Sequence, residues 1–189
     1  AGACDDLRIG ITLIFYLQNG TEYMLENQKG RFSTQSLTLS GLAGEGRILL
    51  PVLKDKEAVK VEKETSNNRN HLIAAARNGD EEAMESLTME DMDTYSMISH
   101  RIVNEDILSI VDSYFMPYGI QCDQYSILGE ILDFHFFRNE MSGEELLRMT
   151  LECNNMQFDV CINKADLLGE PAIGRRFRGN IWLQGQLHF

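Results

Sequence analysis

The sequence predicts an α+β protein with an antiparallel N-terminal β unit, an acidic helical middle and a C-terminal antiparallel barrel or half-barrel. Apolar residues alternate at period two in the first fifty residues and again after residue 117, which is typical of strands with one buried face. Between these parts the period becomes helical and acidic residues accumulate. We therefore divide the chain into a β meander with a charged linker (1–68), a helical segment (69–116) and a barrel-like domain (117–189).

The first predicted strand runs from Ile9 to Leu17, where every second residue is apolar. Asn19-Gly20 follows it, and this dipeptide is a strong signal for a tight β-hairpin turn. Thr21–Leu25 is the predicted return strand. The N-terminal part is therefore expected to begin as a hairpin.

A glycine-rich stretch, SGLAGEG (Ser40–Gly46), separates two further predicted strands, Gln35–Leu39 and Arg47–Val52. The stretch lacks the GK[ST] ending with which a Walker loop supplies a lysine and a hydroxyl, and it lacks GxGxxG spacing. We predict a flexible connection between strands rather than a phosphate-binding loop. The segment Lys54–Asn70 alternates charge sign, contains few large apolar residues, and is the predicted linker.

The middle of the chain is predicted to form four short helices with acidic starts. Asn78-Gly79 is a typical helix stop, and Asp80 is placed to cap the helix that follows. Thr88, with Asp91 three residues later, resembles a capping box for another helix. The four predicted starts are His71, Asp80, Thr88 and Asn104, and the last helix is expected to end near Pro117. Capping and solvation account for the acidity better than a recognition surface does.

Strands are predicted again after Pro117. Leu147–Cys153 and Phe158–Ile162 alternate apolar and polar residues, and Asn154-Asn155 can turn the chain between them. Before this hairpin, a strand is predicted at Ile127–Phe136, with Gly129 as the place for a bulge or bend. After it come a helical turn between Lys164 and Gly169 and a last strand with Ile181, Leu183, Leu187 and Phe189 on one face. This order is most of that of a five-stranded barrel of the oligonucleotide/oligosaccharide-binding type. One strand is missing, and residues 115–126 are the candidate for it.

The formal net charge is −12, and residues 75–114 carry ten acidic residues against two arginines. A field of this sign repels polyanions, so general nucleic-acid binding is disfavoured and any such site must be local. No stretch approaches the ~20 apolar residues of a membrane-spanning helix, and we predict no membrane association.

Four cysteines, Cys4, Cys122, Cys153 and Cys161, occur at wide spacings without a CxxC pair. A chain of this length does not need disulfides to be stable, so we predict a reducing, cytoplasmic location. Cys153 and Cys161 fall on neighbouring predicted strands, and we interpret them as small buried hydrophobic residues rather than as a disulfide.

A basic and aromatic cluster lies on the last predicted strand and just before it. Arg175, Arg176 and Arg178 come shortly before Trp182. Arginines that track phosphates beside an aromatic ring that stacks a base would suit single-stranded nucleic acid. The alternative is that the arginines pair with the abundant acidic residues, because no second stacking residue is evident beside Trp182.

A second candidate surface lies at a proline-marked junction in the chain. Tyr114, Phe115, Met116 and Tyr118 cluster around Pro117. Aromatic residues and methionine are enriched at protein interfaces, but they also fill domain cores. The sequence favours the core interpretation and leaves an interface open.

The sequence contains no local catalytic signature. GxSxG is absent, the four histidines show no metal-ligand spacing, and adjacent acidic pairs such as Glu81-Glu82 diverge on a helix. We predict no catalytic residues, no metal and no cofactor. An active site assembled by folding from distant residues stays open, but the sequence favours a protein that is not an enzyme.

Several runs of the sequence resemble an uncharacterised family from anaerobic Gram-positive bacteria. These runs are AARNGDEEAMESLTMEDMDTYSMISHRI, SYFMPYGIQCDQYSILGEI and NKADLLGEPAIGRRFRGNIWLQG, and the likeness extends from about Ser36 to Phe189. The resemblance implies a bacterial, intracellular setting and a native start upstream of Ala1. It implies no activity, cofactor or catalytic residue.

The predicted function is a non-catalytic binding or assembly module that acts through protein–protein contacts. Its partner would be another protein or a second copy of the chain. The alternative is single-stranded nucleic-acid or oligosaccharide binding by the C-terminal barrel-like domain, which would use Arg175, Arg176, Arg178 and Trp182.

Overall fold

The computed structural model of the protein describes residues 1–6, 11–30, 36–52, 71–73, 75–76, 78–102, 108 and 111–189. The chain forms two compact units. The first contains Ala1–Asp5, Thr12–Pro51 and Ser113–Phe189, and the second contains Asp6–Ile11 and Val52–Asp112. The predicted linker, Lys54–Asn70, lies outside the described residues, and the predicted boundaries at residues 68 and 116 stay predictions.

The elements with defined bounds are a nine-stranded sheet, two α-helices and one 3-10 turn, and residues 71–73 and 75–76 are also helical. The strands are β1 (Gly2–Asp6), β2 (Ile11–Leu17), β3 (Ser36–Leu49), β4 (Tyr114–Pro117), β5 (Gln124–Arg138), β6 (Glu145–Cys153), β7 (Met156–Asn163), β8 (Leu167–Leu168) and β9 (Arg176–His188). The helices are α1 (Gly20–Gln28) and α2 (Glu81–Ile102), and the 3-10 turn is Lys164–Asp166.

The sheet is mixed and includes a partial ring of strands. Its order is β1-β2-β9-β3-β7-β6-β5-β4, β8 pairs with β3, and β9 also pairs with β5. The strands β9, β3, β7, β6 and β5 thus follow one another around the partial ring. β3 runs parallel to β7, and β2 runs parallel to β9, whereas the sequence predicted antiparallel units.

The C-terminal hairpin is confirmed. Leu146 to Cys153 pair with Met156 to Asn163 in antiparallel register. Asn154 and Asn155 join the strands with φ values of 50° and 62°, the left-handed conformation that a tight hairpin turn needs and that asparagine tolerates. The alternating apolar residues from Leu147 to Cys153 and from Phe158 to Ile162 are buried, so the pattern correctly identified the core face.

The predicted hairpin at Asn19-Gly20 is wrong, because Gly20 begins helix α1. The Asn19 side chain is held by β9 instead. Its amide donates to the Leu187 carbonyl at 2.7 Å, and its carbonyl accepts from the Leu187 N–H at 3.0 Å. These long-range hydrogen bonds override the local turn preference, and β2 takes β9 as its partner.

The glycine-rich stretch predicted as a loop is part of β3, which runs without interruption from Ser36 to Leu49. Its glycines allow close packing against the core. A Cβ atom on Gly46 would lie 2.3 Å from the ring of Phe177, and one on Gly41 would lie 2.9 Å from Ile181. In the partial ring, β3 lies between β9 and β7. Residues 115–126, the candidate for the missing strand of the predicted barrel, contain most of β4, which pairs with β5 outside the partial ring.

The helical prediction for the middle of the chain is confirmed at one boundary and wrong at two others. Gly79 has φ +89°, and Asp80 caps α2 by accepting a hydrogen bond from the Ala83 N–H. Thr88 does not start a new helix, because its hydroxyl donates to the Met84 carbonyl inside a continuous α2. The start predicted at Asn104 lies outside the described residues, and Pro117 ends a strand rather than a helix.

Neither α1 nor α2 is long and apolar enough to cross a membrane, and no other helix in the described part of the chain is. α2 carries Glu81 and Glu82 in its first turn, where the helix dipole favours negative charge.

Candidate functional site

Strand β9 presents two chemically different faces. Phe177, Ile181 and Leu183 point into the core and are buried. Arg178 and Trp182 alternate with them and point to the opposite side, which we call the outer face. The strands that flank β9, namely β3 and β5, extend this face on either side.

Trp182 lies at the centre of the outer face. In the strand register it is opposite Leu42 on β3 and Gln124 on β5. Its ring contacts that of Tyr16 on β2, with 5.2 Å between the ring centroids and a tilt of 54°. Trp182 is 37% exposed and Tyr16 is 49% exposed, so both aromatic rings are accessible to solvent. Tyr16 is the second aromatic residue that was not evident from the sequence.

The indole of Trp182 is fixed in its orientation. Its Nε1 donates a hydrogen bond to Asp123 Oδ2 at 2.7 Å. Beside it lies a shallow groove of about 590 Å³, lined by Ile120, Gln121, Cys122, Asp123, Gln124 and Trp182. The groove therefore brings both apolar and polar side chains next to the indole.

The structure separates the four residues of the predicted interface cluster. Phe115 belongs to the core, where its ring packs on Tyr125 at 4.8 Å and on Phe158 at 5.8 Å. Met116 and Tyr118 are exposed. Met116 is opposite Ser126 in the register and so lies on the outer face, and the Tyr118 N–H donates to the carbonyl of Gln124, next to Trp182.

Trp182 and five other exposed apolar or aromatic side chains therefore lie on this face or in the neighbouring strand and loop. We call them the aromatic patch: Tyr16, Leu42, Met116, Tyr118, Ile120 and Trp182. The patch combines one residue of the predicted binding cluster with two of the predicted interface cluster. Sequence reasoning missed the others because their proximity depends on non-local strand pairing.

The three predicted arginines differ in their surroundings. Arg175 donates from Nη1 to the Glu170 carbonyl at 2.7 Å. Arg176 is buried, and its Nε donates to the Leu50 carbonyl at 3.0 Å. Both of these arginines bind the backbone. The third, Arg178, lies exposed on the outer face and donates from Nε to the hydroxyl of Tyr114 at 3.1 Å.

Sequence reasoning also missed Arg47. This exposed residue of β3 lies directly opposite Arg178 in the antiparallel register with β9. Cross-strand partners of this kind have Cβ atoms about 5 Å apart. Both side chains are exposed, so the outer face carries two positive charges on a chain whose net charge is −12. We call Arg47 and Arg178 the arginine pair.

The cysteines of the C-terminal hairpin lie on different faces. Cys153 is buried, and its Sγ contacts the carbonyls of Tyr114 and Leu128 at 3.0 and 3.2 Å. Burial raises the pKa of Cys153 to about 12. Cys161 is half-buried on the other side of β7, and burial also raises its pKa. Thiols with raised pKa values are poor nucleophiles near neutral pH.

The described residues contain no group of three or more His, Cys, Asp or Glu side chains that could hold a metal ion. The two histidines on the described strands have different cross-strand partners: His135 on β5 is opposite Arg148 on β6, and His188, at the end of β9, contacts the Thr38 hydroxyl on β3 at 2.8 Å. The chemistry that the outer face offers is therefore apolar contact, hydrogen bonding and attraction to anions.

No curated protein and no solved structure matches the chain significantly. A sequence profile of one family, described as "Domain of unknown function, E. rectale Gene description (DUF3881)", matches residues 1–185. Its source is an anaerobic Gram-positive bacterium, which confirms the resemblance found in the sequence. Because the match spans nearly the whole sequence, the chain belongs to this family of proteins of unknown function.

Proposed function

We propose that the protein is a non-catalytic binding module whose outer face contacts a protein partner. The observation that carries the proposal is the aromatic patch, in which Trp182 is grouped with five other exposed apolar or aromatic side chains. Exposed apolar residues that occur singly are ordinary, but residues grouped on one face of a sheet favour an interaction surface.

The composition of the patch supports a protein partner. Tryptophan, tyrosine and arginine are the residues that most often dominate the binding energy of protein interfaces. The patch and the arginine pair bring together Trp182, Tyr16, Tyr118 and two arginines on neighbouring strands. Asp123, Gln124 and Gln121 supply polar groups at its border, as in an interface with an apolar centre and a polar rim.

The hydrogen bond from Trp182 to Asp123 orients the indole before a partner binds. Burying a side chain in an interface costs about 0.5–1.5 kcal/mol of rotamer freedom for each residue that becomes ordered on binding. The indole is already held by Asp123 and by contact with Tyr16, so less of this cost remains. Trp182 is therefore the expected centre of the interface.

The experiment places a photo-crosslinking amino acid at Leu42, which is opposite Trp182, in the native bacterial host. The matched control is the same amino acid at Met141, an exposed residue in the turn between β5 and β6. We expect a discrete protein adduct from position 42 and none from position 141. The adduct partner is then purified and titrated against the wild-type protein.

The second step of this experiment tests the role of the patch. The substitution Trp182→Ala should weaken binding of the purified partner by about 30-fold or more, the loss that corresponds to ~2 kcal/mol at a binding hot spot. The proposal fails if positions 42 and 141 give the same adducts, or if Trp182→Ala binds the purified partner as tightly as the wild type.

A second candidate function is single-stranded nucleic-acid or oligosaccharide binding. The observation that favours it is the combination of the partial five-strand ring with two accessible aromatic rings, Tyr16 and Trp182. Barrels of the oligonucleotide/oligosaccharide-binding type are five-stranded and bind ligands on an open face. The backbone contacts of Arg175 and Arg176 and the charge of −12 count against a long phosphate-tracking groove.

A fluorescence-anisotropy titration with a labelled mixed-sequence single strand at two salt concentrations tests this candidate. Saturable binding that weakens with salt, and that Arg47→Ala/Arg178→Ala makes less salt-dependent, would favour it over the protein-binding proposal. No binding up to about 100 μM, far weaker than ordinary non-specific association, would exclude the nucleic-acid form.

A cytoplasmic location belongs to the proposal of a binding module and rests on the widely spaced cysteines.

A further inference from the structure

Trp182 has a carboxylate at one edge and an accessible ring face. Its Nε1–H group lies on the edge of the indole, where Asp123 Oδ2 accepts a hydrogen bond at 2.7 Å. An aromatic ring is electrostatically positive at its edge and negative on its faces. The carboxylate therefore binds the positive part of the exposed indole, and the negative face is left to a cation.

The carboxylate of Asp123 is fixed beside the indole and can accept more than one hydrogen bond. The backbone carbonyl of Asp123 accepts from the Leu183 N–H at 2.8 Å, which holds this residue against β9. A carboxylate has two oxygens with about four lone-pair sites. A donor that lies over the indole can therefore bind Asp123 at the same time as Nε1 does.

Tyr16 adds a second ring at this point. The centroids of the two rings are 5.2 Å apart and the rings are inclined at 54°, so a group placed over Trp182 also lies close to Tyr16. Cations bind over aromatic faces within about 6 Å of the centroid, and tryptophan is the best such ring. The adjacent groove adds the amide carbonyls of Gln121 and Gln124 as further acceptors.

The charge of the surrounding unit also favours a cation. The first compact unit, counted without the second, carries 14 acidic and nine basic residues, a balance of −5. Arg178, the exposed arginine of β9, is four residues from Trp182, which is about 13 Å along a strand. The Debye length is about 8 Å at physiological salt, so repulsion from Arg178 is largely screened at Trp182.

We infer that the protein partner binds through a basic segment, one arginine of which stacks on Trp182 and pairs with Asp123. This inference rests on the proposed function and names the chemistry of the partner. Arginine suits the site better than lysine because its guanidinium is planar, stacks on aromatic rings and carries five N–H donors in a fixed geometry. A guanidinium that lies flat on the indole directs donors from its edge to Asp123.

The test uses penta-arginine as the probe and the emission of Trp182, the only tryptophan, as the signal. Penta-citrulline is the matched control, because citrulline has the shape of arginine without its charge. We expect a saturable change in emission with penta-arginine, with a Kd below about 1 mM, and no change with penta-citrulline. Penta-lysine should bind more weakly than penta-arginine.

The substitution Asp123→Asn separates the charge of the carboxylate from its hydrogen bond. An asparagine carbonyl still accepts from the indole Nε1, so the ring keeps its orientation while the charge is lost. We expect penta-arginine to bind this variant about fivefold more weakly, the upper end of what an exposed ion pair contributes. Asp133→Asn removes the same charge from the part of β5 that pairs with β6, and its affinity should stay within about twofold of the wild type.

Three outcomes overturn the inference: penta-arginine leaves the emission unchanged, penta-citrulline changes it equally, or the two asparagine variants lose affinity equally. The partner purified after crosslinking at position 42 separates this failure from that of the proposed function. If Trp182→Ala weakens binding of that partner and Asp123→Asn does not, the proposed function stands and the inference is wrong. If positions 42 and 141 give the same adducts, the proposed function fails even where penta-arginine binds.

Discussion

The indole Nε1 of Trp182 donates a hydrogen bond to Asp123 Oδ2 at 2.7 Å, and this bond connects β9 to the residue that precedes β5. Trp182 is the only tryptophan in the sequence. Its fluorescence therefore reports on the centre of the outer face without any added label.

Replacing Asp123 by alanine should release the indole. We expect a red shift of the emission maximum and stronger quenching by acrylamide, because the ring gains freedom and exposure. The free energy of unfolding should fall by about 1 kcal/mol, the usual contribution of one hydrogen bond. Asp133→Ala, on the opposite part of β5, is the control and should leave the emission unchanged. Identical spectra for Asp123→Ala and the wild type would contradict the orientation given to Trp182.

Replacing Gly46 by alanine should destabilise the protein. The new Cβ would lie 2.3 Å from Cε2 of Phe177, a fully buried ring that has no room to move. Overpacking of this kind costs about 1–3 kcal/mol, measured by urea denaturation. Gly44→Ala is the matched control, since nothing lies within 4 Å of a Cβ at that position. Equal denaturation midpoints for the two variants would show that Phe177 does not pack against β3 in this way.

Tyr125 connects β5 to β2, and its removal should loosen that contact. Its hydroxyl accepts from the Ile14 N–H at 2.8 Å and donates to the Ile14 carbonyl at 3.1 Å. Tyr125→Phe leaves both backbone groups without this partner and should cost about 1–3 kcal/mol. Amide hydrogen exchange at Ile14 should accelerate, whereas Tyr118→Phe, which alters an exposed ring, should not change it. Unaltered exchange at Ile14 in the Tyr125 variant would argue against the bond.

Stability should fall at alkaline pH because of Cys153. Burial raises the pKa of its thiol from 9.0 to about 12 in the folded protein. The folded state therefore keeps the proton that the unfolded chain releases above pH 9. The contribution is complete below pH 9 and is lost between pH 9 and 12, by about 1.4 kcal/mol for each pH unit.

The substitution Cys153→Ser tests this alkaline loss. A serine hydroxyl can donate to the carbonyls of Tyr114 or Leu128 and does not ionise in this range. Above pH 9, the slope of the unfolding free energy against pH should decrease by the amount that corresponds to one proton. Burial also raises the pKa of Tyr125, and the contribution of that residue to the slope should remain. If the unfolding free energies of the variant and the wild type fall in parallel above pH 9, burial does not raise the pKa of the Cys153 thiol in the folded protein.

Local patterns predicted those parts of the fold that local interactions determine. The Asn154-Asn155 hairpin pairs residues that are neighbours in the chain, so alternation and turn chemistry were sufficient. The cap at Asp80 is equally local. At Asn19, by contrast, the local sequence favoured a hairpin turn, but the side chain forms hydrogen bonds with Leu187, which is 168 residues away in the chain.

The candidate site could be predicted only in part for the same reason. Trp182 and Met116 were predicted as binding or interface residues because of their residue types. Tyr16 and Arg47 are ordinary outward-facing residues of their own strands, and they join the site only through the register of β2 and β3 with β9. No periodicity within one strand reveals which distant strand will pair with it.

The position of β9 in the chain affects how the protein is made. β2 and β3 both pair with β9, which the ribosome synthesises more than a hundred residues later. During translation, β2 is therefore made long before its partner strand β9. Its core residues Leu13 and Phe15 stay without that part of the sheet until β9 is synthesised. Such long-range pairing folds slowly, and unpaired apolar strands in nascent chains are prone to aggregate. A chaperone that holds the N-terminal strands until β9 emerges would increase the yield of folded protein.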